Sequence, residues 1–573
     1  MTERLAQNLA ALARLSPEMA ALVGQRGVDP AMGQATTLDR RPVLEIAGRA
    51  LDSRRDPRGQ AAAEAAAVDA PRVVLAGFGT GYLAEALIDR GIDLATIIVD
   101  RPESLAGAMV ALDLSRLLDR VPVTCLELLR ESLDVAVLRA RAPRLVCHGP
   151  SLSTSSDLAA LAAAWDGIPV ADRPPRVLVV GPMAGGSLGP AVSTAAAARA
   201  CGADVTFFDA SDFAAGFRAL ARSDLATARQ GQLTEIIGHT IADEAIGRQA
   251  DLVVALAQAP LHAAALGRLR DAGIRTAFWF VENCRVLTYW RDLAAAYDRF
   301  FAIQPGTFLD RLHDAGAPQP AYLPMACDPD RHRPVALTSH ERTRFGSDVS
   351  FAGAAYLNRR SVFAGLTDYD LRLWGPGWTD PALARVAAGA GLEYSPEEMI
   401  RIVAASTINL NLHSAAHVTG LDPEPDYVNP RTFEIAACGG FQLVDRREPL
   451  ADLFEADEVV SFGTLEALRP LIDRYLTADD ERAAIAERGR ARALRDHTYA
   501  HRVRSIFREA LSPALAAAAI VGVATESIDE AIATHEHGGD VTRDELLLRV
   551  LREIGLSHGM TTTRVEPDIK ASA

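Results

Sequence analysis

The sequence predicts an α/β protein of successive Rossmann-like units, each a parallel sheet covered by helices on both faces. Three observations carry this. Short apolar runs that read as buried strands open at Arg72-Val73-Val74-Leu75-Ala76, Arg176-Val177-Leu178-Val179-Val180 and Val349-Ser350-Phe351-Ala352-Gly353. A glycine-bearing turn and a helical stretch follow, giving the strand–turn–helix order of a βαβ unit. The chain has 573 residues, beyond the roughly 250–300 at which a single core stops growing, so several domains are expected.

Residues 1–70 are helical in pattern, with Leu5, Leu9, Leu12 and Leu15 spaced for one apolar face. An accessory Rossmann-like domain is expected over 71–172, with strands at Arg72–Ala76, Ala95–Val99 and Arg144–Cys147 and a helix around 82–90. The proline-rich stretch Asp172-Arg173-Pro174-Pro175 reads as a linker. A second unit occupies 176–335, with further strands at Val205–Phe208, Leu252–Ala255, Thr276–Phe280, Phe300–Ile303 and Ala321–Pro324. The polar stretch Asp328 to Ser347 leads to a third unit over 347–510. Its strands are expected at Val349–Gly353, Leu371–Gly375, Ile408–Leu412, Gln442–Asp445 and Val459–Phe462, before a long charged helix over about 478–495. Residues 511–573 read as helices with a polar tail, and no repeat of 20–50 residues is present.

A net charge of −15 argues against nucleic acid as a partner, because phosphate contacts need clustered Lys and Arg. No apolar run reaches the roughly 18 residues of a spanning helix. The start Met1-Thr2-Glu3-Arg4 lacks the basic, then apolar pattern of a signal peptide. The six cysteines are scattered without a Cys-x-x-Cys pair, which predicts reduced thiols and no zinc site. A cytoplasmic location is expected.

The segment richest in chemistry runs from Asp426 to Phe441. Asn429-Pro430 should start a helix, since proline is tolerated in the first turn. Arg431 and Glu434 then share one helix face, and Gly439-Gly440 ends the helix before the strand at Phe441–Val444. A helix N-terminus offers free N–H groups and positive potential to a diphosphate, and Arg431 adds a guanidinium suited to phosphate oxygens. Glu434 has two acceptor oxygens for the two hydroxyls of a ribose. The competing reading of this pair is an ordinary surface ion pair. Asn411 and His413 alternate on one strand and point to one side. The loop Gly185-Gly186-Ser187 follows the first strand of its unit and is either a plain turn or a backbone cradle for an acceptor or a diphosphate. His239, His262 and Glu282 are weaker candidates for activating an acceptor or contacting a sugar.

From Val349 to about Phe507 the chain resembles the CgeB-like glycosyltransferases, which are related to the large retaining family with the GT-B fold. The resemblance rests on Asp348-Val349-Ser350-Phe351-Ala352-Gly353, Leu373-Trp374-Gly375 with Trp378, Ile408-Asn409-Leu410-Asn411-Leu412-His413, and Arg431-Thr432-Phe433-Glu434 with Cys438-Gly439-Gly440. Upstream, Trp279-Phe280-Val281-Glu282-Asn283, Tyr297-Asp298 and Tyr322-Leu323-Pro324-Met325-Ala326 are similar to that family's first lobe, so about 176–510 is covered. The resemblance implies two facing Rossmann-like domains, an acceptor side at 176–335 and a donor side at 347–510. It implies a UDP-, GDP- or dTDP-linked sugar as donor, a protein or glycan as acceptor, and retention of configuration. Donor-binding residues are then Glu434, Arg431, Arg359, Arg360, Gly375 and Asn429, with Asp426, His413 and Asn411 as catalytic candidates near the sugar. In the retaining family two glutamates stand eight positions apart. Glu434 matches the second, but Asp426, a shorter carboxylate, stands where the first would be. Arginines occupy the place of the family's usual lysine. No Asp-x-Asp stands at a predicted strand end, so no metal and no further cofactor is expected.

The accessory domain carries Gly77-Phe78-Gly79-Thr80-Gly81 between a strand and a helix, with Asp100 ending the next strand. The third glycine falls two positions after the second, which breaks the dinucleotide pattern and fits an S-adenosylmethionine loop better. The alternatives to a transferase are therefore a methyltransferase working through this loop and a non-catalytic nucleotide-sugar-binding scaffold. The same stretch resembles the leading domain of bacterial motility-accessory transferases that modify flagellin. That resemblance implies a scaffold or acceptor-recognition role and a bacterial surface protein as acceptor. The helices after 511 are candidates for self-association.

Overall fold

The computed structural model describes residues 3–129, 132–142, 144–222, 225–389, 392–415 and 417–522. They fall into two compact units, residues 3–175 with 512–522 and residues 176–511. No helix among the described residues is long and apolar enough to cross a membrane.

The first unit opens with helices Glu3–Leu15 and Pro17–Arg26. The stretch expected to be helical throughout then forms a small antiparallel sheet of β1 (Met32–Thr36), β2 (Pro42–Ile46) and β3 (Arg49–Ala50), before the helix Pro57–Ala66. A tight turn accounts for the difference: Ala47 and Gly48 both take positive φ (48° and 75°), the two-residue connection that matches the twist of a hairpin. The main sheet has four parallel strands, β4 (Arg72–Ala76), β5 (Asp93–Val99), β6 (Val123–Cys125) and β7 (Arg144–Cys147), in the order β6-β5-β4-β7. Its strands are apolar because both faces are covered, with Val73, Leu75 and Ile97 packed on one side and Val74, Ile98 and Trp165 on the other. Of the expected C-terminal helices, residues 513–522 are helical, and 523–573 lie outside the described residues.

The second unit holds two parallel sheets, the two Rossmann-like halves expected of a GT-B architecture. In the first lobe β8 (Arg176–Val180), β9 (Asp204–Phe208), β10 (Leu252–Leu256), β11 (Arg275–Phe280), β12 (Arg299–Ala302) and β13 (Ala321–Tyr322) run in the order β13-β12-β11-β10-β8-β9. In the second lobe β14 (Ser347–Ala352), β15 (Leu371–Trp374), β16 (Ser406–Asn411), β17 (Gln442–Asp445) and β18 (Val460–Phe462) run in the order β15-β14-β16-β17-β18. Each sheet reverses its order beside its first strand, which leaves a crevice at the carboxyl ends of the strands. The segment between the lobes contains the helix Ser339–Phe345, started by a capping box of Thr338 and Glu341.

The last helix of this unit, Tyr499–Ala510, returns from the second lobe to the first. The Tyr499 ring meets that of Trp279 edge-on at 6.0 Å, and Arg502 donates to the carbonyls of Pro324 and Met325. A guanidinium buried among carbonyls replaces the water it gave up with hydrogen bonds, which ties the lobes together.

Candidate functional site

The site is built on the helix Pro430–Ala437, which starts where β16 and β17 end. Asn429 caps it, its side-chain oxygen accepting from the Thr432 amide at 3.1 Å, and Pro430 fills the first position, where no N–H is needed. The cap is itself held. Asn429 Nδ2 donates to Asn411 Oδ1 at 2.8 Å, and Asn411 Nδ2 donates to Thr432 Oγ1 at 2.9 Å. The Asn429 amide donates to His413 Nε2 at 2.8 Å, while His413 Nδ1 stands 2.7 Å from Asp445 Oδ1. Asp445 also pairs with Arg447, which reaches Asp422 at 3.0 Å.

This chain of groups is closed to solvent: Asn411, His413, Asp445 and Arg447 are 1%, 0%, 1% and 3% exposed. Burial pushes the His413 imidazole down to about 4, so it is neutral near pH 7. With Nε2 accepting from Asn429, the proton sits on Nδ1 and is donated to Asp445. Burial alone would raise Asp445, but His413 and Arg447 outweigh it and hold that carboxyl well below the usual range. Asn411 and His413 were expected beside the sugar. They face inward instead, and their geometry fits positioning of the helix start.

Arg431 and Glu434 lie one turn into the helix, as the spacing predicts, and meet at 2.5 Å. Arg431 also donates to Tyr394 Oη at 3.1 Å. Burial works against the Arg431 charge, but Glu434 and Tyr394 hold the guanidinium above its ordinary value. The ion-pair reading is thus physically present, and it aims the Glu434 carboxylate while neutralising Arg431. His332 is 9% exposed, and burial lowers it despite the nearby Glu434 charge.

Arg359 is held by carbonyls and aromatic rings. It sits on the helix Leu357–Ala364 after β14, where Nε donates to the Leu412 carbonyl at 2.9 Å and Nη1 to the Ala354 carbonyl at 3.0 Å. Its guanidinium lies over the rings of Phe351 and Tyr356, at 4.9 and 5.2 Å. No carboxylate pairs with it among the described residues, and burial pulls it down to about 10. Its neighbour Arg360 makes no side-chain hydrogen bond or ion pair among the described residues and stays half-buried. Gly375 has φ +116°, and a Cβ there would stand 2.6 Å from the Gly353 carbonyl oxygen. Glycine at 375 is therefore demanded by two strand ends meeting backbone to backbone.

Asp426, expected as a catalytic carboxylate, is instead tied up by residues of the first lobe. Its two oxygens accept from Arg285 Nη1 and Nη2 at 2.7 and 2.8 Å, and Oδ1 also accepts from Gln304 Nε2 at 3.0 Å. Both partners belong to the first lobe, so Asp426 closes a two-pronged clamp between lobes. That clamp raises the Arg285 guanidinium above its ordinary value, chiefly through the hydrogen bonds to Asp426. On the same side, Gly185 has φ +98°, and a Cβ at Gly186 would meet nothing within 4 Å. Ser187 precedes the helix Leu188–Ala200 without capping it by its side chain. The loop is open, as a cradle requires, and nothing in its contacts decides between acceptor and diphosphate.

Sequence reasoning missed Asp445, Arg447, Arg285, Gln304 and Tyr394. Asp445-Arg446-Arg447, a charged run directly after an apolar strand, was the available signal for the first pair. The others come from distant parts of the chain.

In the first unit the glycine loop is filled by the protein itself. Gly77 and Gly79 have φ +87° and +58°, and a Cβ at Gly79 would stand 2.4 Å from His148 Cε1, one at Gly77 2.5 Å from Ser151 Cβ. The Gly79 amide donates to Ser151 Oγ at 3.2 Å, His148 Nδ1 is 2.7 Å from Ser151 Oγ, and Asp52 Oδ2 accepts from the Thr80 amide and hydroxyl at 2.8 and 2.6 Å. These glycines serve the close approach of His148 and Ser151, at the crevice where a cofactor would lie. Asp100 stands beside Arg101, 3.5 Å away. Nothing in this arrangement favours the methyltransferase reading.

Residues 359–508 match the protein family described as glycosyl transferase-like. No curated protein matches the chain. Among solved structures it is similar to sucrose-phosphate synthase from Thermosynechococcus elongatus, with 12% identity over 58% of this chain and 97% of that one, at a TM-score of 0.40. HepE from Anabaena in complex with UDP-glucose gives the same identity and coverage, also at 0.40. A trehalose 6-phosphate synthase from Burkholderia multivorans has 13% identity over 65% of this chain and 100% of that one, at 0.36. No group of three or more His, Cys, Asp or Glu that could hold a metal ion occurs among the described residues.

Proposed function

We propose that the chain transfers a sugar from a nucleotide-sugar donor to a protein or glycan acceptor, with the donor bound by residues 347–510 and the acceptor side at 176–335. The glycosyl transferase-like match over 359–508 falls within the donor half. The observation that carries the reading is Arg359: a half-buried guanidinium with no carboxylate among the described residues, hydrogen-bonded to Leu412 beside the start of the helix Pro430–Ala437. A half-buried cation with no carboxylate beside it attracts an anion, and the helix N-terminus adds to that attraction. A diphosphate is such an anion.

In this reading Arg359, Arg360 and the Arg431 amide at the helix start take the diphosphate, and Glu434, aimed by the Arg431 side chain, takes the ribose hydroxyls. Gly375 keeps the strand ends close. Asn411, His413 and Asp445 fix the helix start, and Asp426 holds the lobes together around the sugar. Departure of the nucleoside diphosphate needs its growing negative charge stabilised, and the fixed arginines and the Arg431 amide supply that.

The accessory unit would recognise the acceptor, a bacterial surface protein such as flagellin under the resemblance noted above. The test is release of nucleoside diphosphate from UDP-glucose, GDP-mannose and dTDP-glucose, with and without EDTA. Turnover of one donor, unchanged by EDTA, is expected. Donor binding with no turnover for any acceptor offered would turn the reading to a binding scaffold. Retention, which the resemblance implies, and inversion are separated by the anomeric coupling of the product in a proton NMR spectrum.

A further inference from the structure

We propose that Glu282, on the first-lobe wall of the cleft, is the general base that takes the proton from an acceptor hydroxyl. This rests on the transferase reading above. Glu282 follows β11, at the carboxyl edge of the first sheet, and is three residues from Arg285, which reaches across to Asp426. It lies on the loop that carries Arg285 across to the half that would hold the donor.

The carboxylate is held in place. Oε2 accepts from Tyr289 Oη at 2.9 Å, Oε1 accepts from Gln258 Nε2, and the Gln258 amide donates to Tyr289 Oη at 2.9 Å. Gln258 is one of the few non-glycine residues with positive φ, +64°, a strained conformation held by these contacts. Its side-chain oxygen stands 3.9 Å from where a Cβ on Gly185 would be, so the cluster borders the open loop Gly185-Gly186.

The groups facing the carboxyl are neutral, and the nearest cation in sequence, Arg285, is committed to Asp426 and Glu424. Burial, opposed by the hydrogen bonds from Tyr289 and Gln258, leaves Glu282 above the ordinary carboxylate range. A fixed carboxylate that no cation neutralises among the described residues, and that is more basic than usual, suits proton abstraction. A merely structural glutamate in this place would be expected to pair with a cation.

The step balances without another reactant. The acceptor hydroxyl oxygen forms a bond to the anomeric carbon, and the carbon–oxygen bond to the diphosphate breaks with its electron pair going to the diphosphate. The hydroxyl proton goes to Glu282 and then to solvent. The chemical class of the acceptor is a hydroxyl, on a sugar or on a serine or threonine. A base on the wall opposite the diphosphate site favours attack from the far side, hence inversion, which departs from the retention implied by the resemblance.

Water is also a hydroxyl acceptor, so the test needs no identified acceptor. Hydrolysis of UDP-glucose, GDP-mannose and dTDP-glucose is followed from pH 4 to 9 in the wild type, Glu282→Gln, Glu282→Gly and Tyr289→Phe, with melting temperatures as the check of folding. For the donor that is turned over, Glu282→Gln is expected to lose roughly 100-fold or more in kcat, with KM for the donor unchanged. The acid limb of the pH profile should vanish in Glu282→Gln and move to higher pH in Tyr289→Phe, which removes a hydrogen bond to the charged form. Sodium azide should restore turnover to Glu282→Gly and give a glycosyl azide of inverted configuration. A folded Glu282→Gln with kcat within about twofold of wild type would overturn the assignment of the base, while donor turnover itself kept the transferase reading. If the wild type neither binds nor turns over any of the three donors, both fall together.

Discussion

Replacing His413 by alanine removes the link through which the second lobe positions its helix start. Two hydrogen bonds go, Nδ1–H to Asp445 and the Asn429 amide to Nε2, at 2.7 and 2.8 Å. The site is fully buried, so the Asn429 amide loses a partner that water does not readily replace, at a cost of about 1–3 kcal/mol. Asp445 keeps Arg447 and the His413 amide, so its loss is partial. The vacated imidazole volume adds roughly 1–2 kcal/mol on the scale of other large-to-small substitutions. The sum is a destabilisation of about 2–5 kcal/mol. Urea unfolding followed by circular dichroism reads it as a lower midpoint at unchanged slope. A loss below about 1 kcal/mol would refute the reasoning, since a buried link of this kind cannot be that cheap to remove. Affinity for the donor nucleotide should fall as well, because the start of the helix Pro430–Ala437 loses its fixed direction.

The remaining predictions concern the accessory unit and acid. Gly79→Ala should destabilise the first unit by about 2–4 kcal/mol, from the left-handed conformation and the collision with His148 together. It should leave nucleotide-sugar binding untouched, and S-adenosylmethionine should not shift the melting temperature of the wild type. In the second unit burial pushes His413 to about 4, His497 to about 3 and His501 to about 4. All three lie below the unfolded value of about 6.5, so the unfolded chain binds these protons first as pH falls. Their contribution is complete above about pH 6.5 and is lost towards pH 4 for His413 and His501 and towards pH 3 for His497, at up to ~1.4 kcal/mol per pH unit for each histidine. The urea midpoint of this unit should therefore fall between pH 7 and pH 5; a midpoint independent of pH would contradict the burial of these rings.

The α/β class was legible because both faces of each sheet are covered, which leaves continuous apolar strands such as Leu252–Leu256 and Val177–Val180. The hairpin at Met32–Ala50 was not, because it is small and its exposed positions break the alternation. Asn429-Pro430 and the three-residue spacing of Arg431 and Glu434 placed that helix correctly, since capping and helix periodicity are local. The inward facing of Asn411 and His413 depends on Asp445, 32 residues beyond His413, and was invisible to a strand-alternation argument. The Arg285–Asp426 clamp spans 141 residues and follows only from the way the lobes meet. The glycine loop at Gly77–Gly81 read as a ligand cradle because its backbone does need glycine, but the neighbour it makes room for is His148.

The central claim, a nucleotide-sugar site on Arg359, Arg431 and Glu434, is tested most directly by melting curves of the wild type and Glu434→Ala with UDP, GDP and dTDP. A ligand that binds only the folded state raises the melting temperature by mass action. One diphosphate should stabilise the wild type and lose most of its effect in Glu434→Ala, which still melts cooperatively, at a lower temperature because Arg431 loses its partner. An equal shift in both proteins, or none with any of the three, would contradict the account.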